Sequence, residues 1–318
     1  MQSSFTATSN LSCVLSQIGI ISLSGDDANS YLQGKVTNDV DALHEDIAQL
    51  GCHCDFKGKT WNIFTAVKHS DKILLISHKE GVPQSLAELQ KYGVFSKVTF
   101  ADESDAFAAL GMAGPECAEI LSQHIGTLPS DHFAVKHFDN GLVICLTSPV
   151  QRYLVLGDPA FIETIHNHMV EFSQPETLWE KLDIQAGIAN IQSATVAEFV
   201  PQMMNMQHLG AISFTKGCYM GQEVVARTKY LGKNKRAAFI LTTDSPVTAQ
   251  AGDVLEKQVG ENWRRGGTVL RHATLDDNTW VLAVLPNDTE DSDKFRLKSH
   301  PQHPFAVHAL PYSTIEDQ

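Results

Sequence analysis

Long apolar runs are missing from this 318-residue sequence. A membrane-spanning helix needs roughly 18 consecutive apolar residues; WVLAVL, at 280–285, is among the longest runs present. Basic residues are missing from the first part of the chain, where the first cation is Lys35. The sequence therefore shows neither the charged start of a secretory signal nor an Arg-rich transit pattern, and a cytoplasmic protein without membrane contact is expected. Positive charge is scarce throughout: 24 Lys and Arg against 37 Asp and Glu give a net charge of −13, which argues against general affinity for nucleic acid or anionic lipid. Cysteine is also sparse. Cys13, Cys52, Cys54, Cys117, Cys145 and Cys218 are scattered and do not form the dense framework of a secreted disulfide scaffold. Most of them read as small buried apolar residues.

What is present reads as α+β. IGIISLSG predicts a strand, SGDD a turn with N-cap residues, and ANSYLQ a short helix. CHCDFKGKTWNIFTAVK reads as a hairpin turning at Lys57-Gly58-Lys59. Further strands are expected at KILLISH, FSKVTFAD, AFAALGM, GLVICLTS and RYLVLGD, and helices at PQSLAELQKYGV, at PECAEILSQHI with Pro115 opening it, and at PAFIETIHNHMVEF. Strand and helix do not alternate regularly enough for a doubly wound sheet. From about Phe239 the pattern becomes short strands separated by Gly, Asn, Asp and Pro, which predicts a small all-β domain closing the chain.

One segment departs from the acidic average. Between residues 216 and 236 the cations Lys216, Arg227, Lys229, Lys233, Lys235 and Arg236 face a single acid, Glu223, and Cys218 sits among them. A thiol reacts as the thiolate, which neighbouring cations and a helix N-terminus stabilise. GQEVVARTKY has helix-forming residues, and Glu223 precedes Arg227 by four, so Cys218 is expected on a turn just before a helix. Gly217 and Gly221 on either side permit close backbone approach or unusual angles. The bland alternative is a cysteine packed in an ordinary turn. Cys218 has no neighbouring cysteine, so a complete protein-held cluster is not expected.

Other candidates are weaker. In Cys52-His53-Cys54 the two thiols of a strand point one way and the imidazole the other, so the three cannot chelate one ion, and no metal site is expected. Trp179, in PETLWEKLDIQAGI, lies on an amphipathic helix with Leu178 and Leu182. It reads either as core or as the wall of a pocket for a flat heteroaromatic ligand. The methionines of FVPQMMNMQHLGAISF read as core filler or pocket wall beside the cysteine motif.

KGCYMGQE, preceded by FVPQMMNMQHLGAISF and followed by RTKYLGKNKRA, closely resembles the signature of the YgfZ family of folate-binding, tRNA-modifying proteins. GDDANSYLQGKVTNDV, CHCDFKGKTW, YGVFSKVTF, GENWRRGGTV and LPYS fit the same family, so the resemblance covers nearly the whole chain. It implies a T-protein-like ring of three domains: a first α+β domain from 1–48 plus 105–195, a second interleaved with it from 49–104 plus 196–237, and a C-terminal β-barrel from 238–318. It implies a tetrahydrofolate-type cofactor near the centre, and a role supporting iron–sulfur enzymes or cluster-assembly proteins, and through them tRNA methylthiolation, without direct tRNA binding.

Carried over by position, the reactive thiol is Cys218, flanked by Lys216, Gln222 and Glu223. The stacking tryptophan is Trp179, and a second aromatic of the family falls at Ile18. Tyr219, Arg227 and Lys229 are expected to contact the cofactor, the cations neutralising its glutamate tail. Cys218 is expected to face the same cavity as Trp179. The aminomethyltransferases of this fold carry carboxylates after the hairpin glycines, where an acid protonates folate nitrogens. The stretch TWNIF here has none. That favours binding over aminomethyl transfer; a folate-dependent one-carbon transferase is the alternative.

Overall fold

The computed structural model describes residues 5–230, 232 and 234–314; Lys233 of the basic segment lies outside them. In chain order the first elements are β1 (Leu11–Val14), β2 (Ile18–Ser24), α1 (Ala28–Gln33), β3 (Gln49–Cys54), β4 (Thr60–His69), β5 (Lys72–His78), α2 (Val82–Tyr92) and β6 (Thr99–Asp102). There follow β7 (Ala108–Ala113), α3 (Pro115–Ile125), β8 (Val135–Phe138), β9 (Gly141–Leu146), β10 (Arg152–Gly157), α4 (Pro159–Asn167), α5 (Glu176–Gln185) and α6 (Gln222–Tyr230). The chain closes with β11 (Arg236–Thr243), β12 (Val254–Val259), β13 (Asn262–Leu275), β14 (Asn278–Pro286), β15 (Lys294–Leu297) and β16 (His300–His308).

The strands form two open antiparallel sheets and one closed barrel. The first sheet has the order β1-β7-β10-β9-β8, the second β3-β4-β5-β2-β6, and the barrel β11-β14-β13-β12-β15-β16. Side-chain alternation explains why the sheets are buried on both faces. On β9 and β10, Leu142, Ile144, Leu154 and Leu156 enter the core between the two sheets, while Val143, Cys145, Tyr153 and Val155 pack outward under α3 and α4. On β2, Ile20 faces that same central core, and Ile21 and Leu23 face α1 and α2. A third cluster joins Leu50, Cys52, Cys54 and Ile63 of the second sheet to Ile240, Leu270 and Leu282 of the barrel. The barrel interior has its own core around Val269, Val281, Phe295 and Phe305.

This pairing corrects the sequence-based division at 48/49. β2 lies between β5 and β6, with Ile18 opposite His78 and Ile21 opposite Asp102. Within 1–48, β1 alone belongs to the first sheet, and 18–24 belongs with 49–102. Linear adjacency to β1 misled the assignment; a strand apolar on both faces must sit inside a sheet, and its partners are 50 to 80 residues away in sequence. The segment after α5 lies against the second sheet: Thr60 N donates to Phe199 O at 2.8 Å, and Thr37 Oγ1 to Ala211 O at 2.6 Å. No helix among the described residues is long and apolar enough to cross a membrane.

Candidate functional site

α5 bridges the three bodies. Its Leu178, Trp179 and Leu182 enter the core between the sheets, and Ile184 enters the core shared with the barrel. Trp179 and Asp183 are four residues apart and share one helix face, with Glu180 beside them. Trp179 is 5% exposed. The Arg152 guanidinium of β10 lies 4.4 Å from its ring centroid. Gly111 of β7 comes so close that a Cβ there would stand 2.5 Å from Trp179 Cε3, so only glycine fits beneath this indole.

Beneath Trp179 runs a buried line of alternating charge. Arg152 Nη2 is 2.6 Å from Asp183 Oδ1. Arg271, from barrel strand β13, reaches Asp183 Oδ2 at 2.8 Å and grips Glu180 with two bonds of 2.6 Å. Its Nη1 donates to Ile188 O at 2.9 Å. Burial alone would raise the Asp183 carboxyl, but the two guanidiniums outweigh it and hold the group below its ordinary range. The bidentate geometry on Glu180 is one that arginine makes and lysine cannot.

A cavity of about 120 Å³ opens along this face, walled by Ile18, Ile63, Phe133 and Trp179 and floored by Glu180, Asp183 and Arg271. Gln17, His78, Glu176 and Glu180 also border a wider opening of about 560 Å³ against Val247 and His272 of the barrel. Inner cleft and mouth together match the roughly 300–1,000 Å³ of a small-molecule site. Burial lowers the pKa of His78 and of His272, so both rings are neutral at pH 7. The carboxylates that TWNIF lacks arrive from α5 instead, already engaged. Glu180 and Asp183 hold arginines, and Glu176 accepts from Ser16 Oγ at 2.6 Å and Gln17 N at 3.0 Å.

The cysteine motif forms a second, separate feature. Lys216 is buried, and its Nζ donates to Val36 O at 2.9 Å and Asn38 O at 2.6 Å. Burial pulls its pKa down to about 8, against the opposing pull of Asp39 and Asp41. Tyr219 is buried too, Lys216 Nζ lies 5.3 Å from its ring centroid, and Met220 N donates to Gly34 O at 3.1 Å. Gly221, at φ +86°, passes so close to Asp55 O that a Cβ would stand 2.6 Å away. Lys216 and Tyr219 thus turn inward as anchors, which leaves Cys218 between them exposed and not disulfide-bonded, in the loop just before the turn at 220–221 that leads into α6.

The site residues read from sequence therefore fall in two places. Ile18 and Trp179 share the α5 cavity; Cys218, Lys216, Tyr219, Gln222, Glu223, Arg227 and Lys229 are not among the residues lining it. Cys218, expected to face the Trp179 cavity, is exposed and is not among the residues that line it. Glu223 and Arg227 form an exposed pair at 3.9 Å, and Lys229 Nζ lies 3.8 Å from the Phe214 ring centroid beside a different cleft of about 270 Å³. Arg227 and Lys229, the cations expected at the ligand's tail, are not among the residues lining the cavity or its mouth, and Lys216 is committed to backbone carbonyls. Cys52 and Cys54 are buried in the core while His53 points oppositely to Ser85 Oγ at 2.9 Å, as strand alternation requires. Among the described residues no group of three ligating side chains could hold a metal. Sequence reasoning missed Arg152, Arg271 and Phe133, which come from distant strands and turns. Glu180 and Asp183 carried a signal, as acids on the helix of the selected tryptophan.

Two antiparallel sheets and a barrel meeting at an α5 cavity define the fold class of the glycine cleavage aminomethyltransferase. The crystal structure of aminomethyltransferase T from Bartonella henselae matches with a TM-score of 0.71, covering 96% of this chain and 87% of that one at 14% identity. The GCVT N-terminal domain matches residues 11–181, and the YgfZ beta-barrel domain matches residues 234–300. The tRNA-modifying protein YgfZ of Colwellia psychrerythraea is 38% identical over 95% of this chain and 93% of its own length. That of Yersinia pseudotuberculosis is 40% identical over 94% of this chain and 91% of its own. The chain belongs to the YgfZ family.

Proposed function

We propose that this protein binds tetrahydrofolate or a derivative in the α5 cavity and supports iron–sulfur proteins, and through them tRNA modification, with Cys218 as its point of contact. The observation that carries the reading is the convergence of Ile18 and Trp179 on one cleft with a charged floor. A flat heteroaromatic ring fits apolar walls, and a fixed carboxylate such as Glu180 matches its polar edge. Gln17, His78 and Asn190 offer further polar groups around the cleft. When bound, tetrahydrofolate supplies nitrogen atoms that carry one-carbon units.

The chain's own contribution is binding and exclusion of water. Asp183, held below its ordinary range between two arginines, is not placed to give a proton to the ligand, and both Glu180 oxygens are engaged by Arg271. This weighs against the one-carbon transferase alternative. Cys218, facing outward, serves a protein partner rather than the bound ligand. An iron–sulfur enzyme or cluster-assembly protein is the partner class, and the chain's net charge of −13 leaves tRNA itself to those enzymes. The test is a Cys218→Ser gene in a strain lacking the protein, with tRNA methylthiolation measured. Loss of the modification supports the role of the thiol; full activity overturns it.

A further inference from the structure

Trp179 has little surface left to offer a ligand. Its ring is 5% exposed, with the Arg152 guanidinium at 4.4 Å and the Gly111 backbone against Cε3. Arg152 is fully buried and tied to Asp183 at 2.6 Å, so it does not vacate the indole. Trp179 therefore has little exposed surface to offer the cavity it lines. Ile18, on the same wall, has no π-system.

Phe133 is the aromatic that remains. It lies on the turn before β8, is half-buried, and lines the cavity together with Ile18 and Trp179. Its ring packs against both the core between the sheets and the core shared with the barrel. Its backbone sits at φ +63°, a left-handed conformation that bulky residues rarely adopt. Two bonds enforce it: Phe133 N donates to Cys145 O at 2.8 Å, and Ala48 N donates to Phe133 O at 2.8 Å. Glycine or asparagine would sit there with less strain, and such strain gathers at ligand clamps. The His132 ring, 4.1 Å away and tilted by 45°, stands against the phenyl.

We infer that Phe133 supplies the aromatic face on which the flat ring of the ligand stacks, providing the π-surface that Ile18 does not. This inference rests on the folate reading and refines it: the specificity of the cleft for flat heteroaromatic ligands comes from Phe133, and Trp179 forms a rigid wall.

The test is calorimetric titration of tetrahydrofolate into wild type, Phe133→Leu, Phe133→Tyr and Trp179→Phe. Phe133→Leu is expected to weaken binding about tenfold, the worth of one aromatic stack. Phe133→Tyr, which keeps the ring, is expected to stay within about threefold of wild type, and Trp179→Phe to lose less affinity than Phe133→Leu. Wild-type affinity in Phe133→Leu, or a tenfold loss confined to Trp179→Phe, overturns the inference. Absence of binding by wild type strikes the folate reading instead, and a ligand-free arm then decides the inference. With Trp61, Trp263 and Trp280 each replaced by Phe, acrylamide is expected to quench the indole of Phe133→Trp readily while leaving Trp179 shielded. Equal shielding of the two rings would refute the assignment.

Discussion

Arg152 and Trp179 form one unit: the guanidinium lies 4.4 Å from the indole centroid while its Nη2 reaches Asp183 at 2.6 Å, one helical turn beyond the tryptophan. The first sheet thereby holds α5 in place, and Arg271 holds the same helix from the barrel side. The cavity wall is rigid because charged groups clamp it from two domains.

Removing Arg152 should loosen that wall. Deleting one partner of a buried ion pair leaves the other charge uncompensated and costs about 3–5 kcal/mol. Asp183 keeps Arg271, so Arg152→Met is expected at the lower end, about 3 kcal/mol. A lowered thermal midpoint, with a red shift of Trp179 emission, checks it; unchanged stability would show that the clamp carries no weight.

Gly111→Ala tests the other contact of the indole. The added methyl meets Trp179 and must displace it. Overpacking of this kind costs about 1–3 kcal/mol. Denaturant unfolding measures the loss, and tetrahydrofolate affinity should fall in parallel because the wall shifts.

The anchors of the cysteine turn and the cysteine itself should separate cleanly. Cys218→Ser, at an exposed site, is expected to change stability by no more than about 0.5 kcal/mol. Lys216→Ala strands the carbonyls of Val36 and Asn38, for which about 1–3 kcal/mol is expected. Paired thermal scans of the two variants decide the point.

His53 gives the fold an acid limit. Burial pushes its pKa from 6.5 down to about 3, so the folded protein holds the ring neutral while the unfolded chain protonates near 6.5. Below pH 6.5 the unfolded state binds the extra proton, and stability falls as pH drops toward 3. At about 1.4 kcal/mol per pH unit, moving to pH 4 removes about 3 kcal/mol. His53→Gln should flatten the stability profile between pH 6.5 and 4, and an unchanged slope would assign the effect to other groups.

Much of this was legible in sequence where signals are local. The apolar runs of GLVICLTS and RYLVLGD marked strands, Pro115 marked a helix start, and the segment after Cys218 was read as a helix, where α6 forms. What escaped depends on contacts across the chain. β2 was grouped with β1 because nothing in IGIISLS names β5 and β6 as its partners. The strand β16 is broken by Pro301 and Pro304 and gave no apolar alternation. Lys216 read as a free cation beside the thiol, since no local pattern reveals that the carbonyls of Val36 and Asn38 accept hydrogen bonds from it. Trp179 and Ile18 were singled out in the sequence and line one cavity, but the network beneath them joins β10, α5 and β13 and appears only on folding.

The separation of the ligand cavity from Cys218 is the central claim, and calorimetry of tetrahydrofolate with wild type and Cys218→Ser tests it most directly. Saturable one-site binding of equal affinity in both proteins is expected. Absence of saturable binding in wild type, or affinity lost with the thiol, would contradict it.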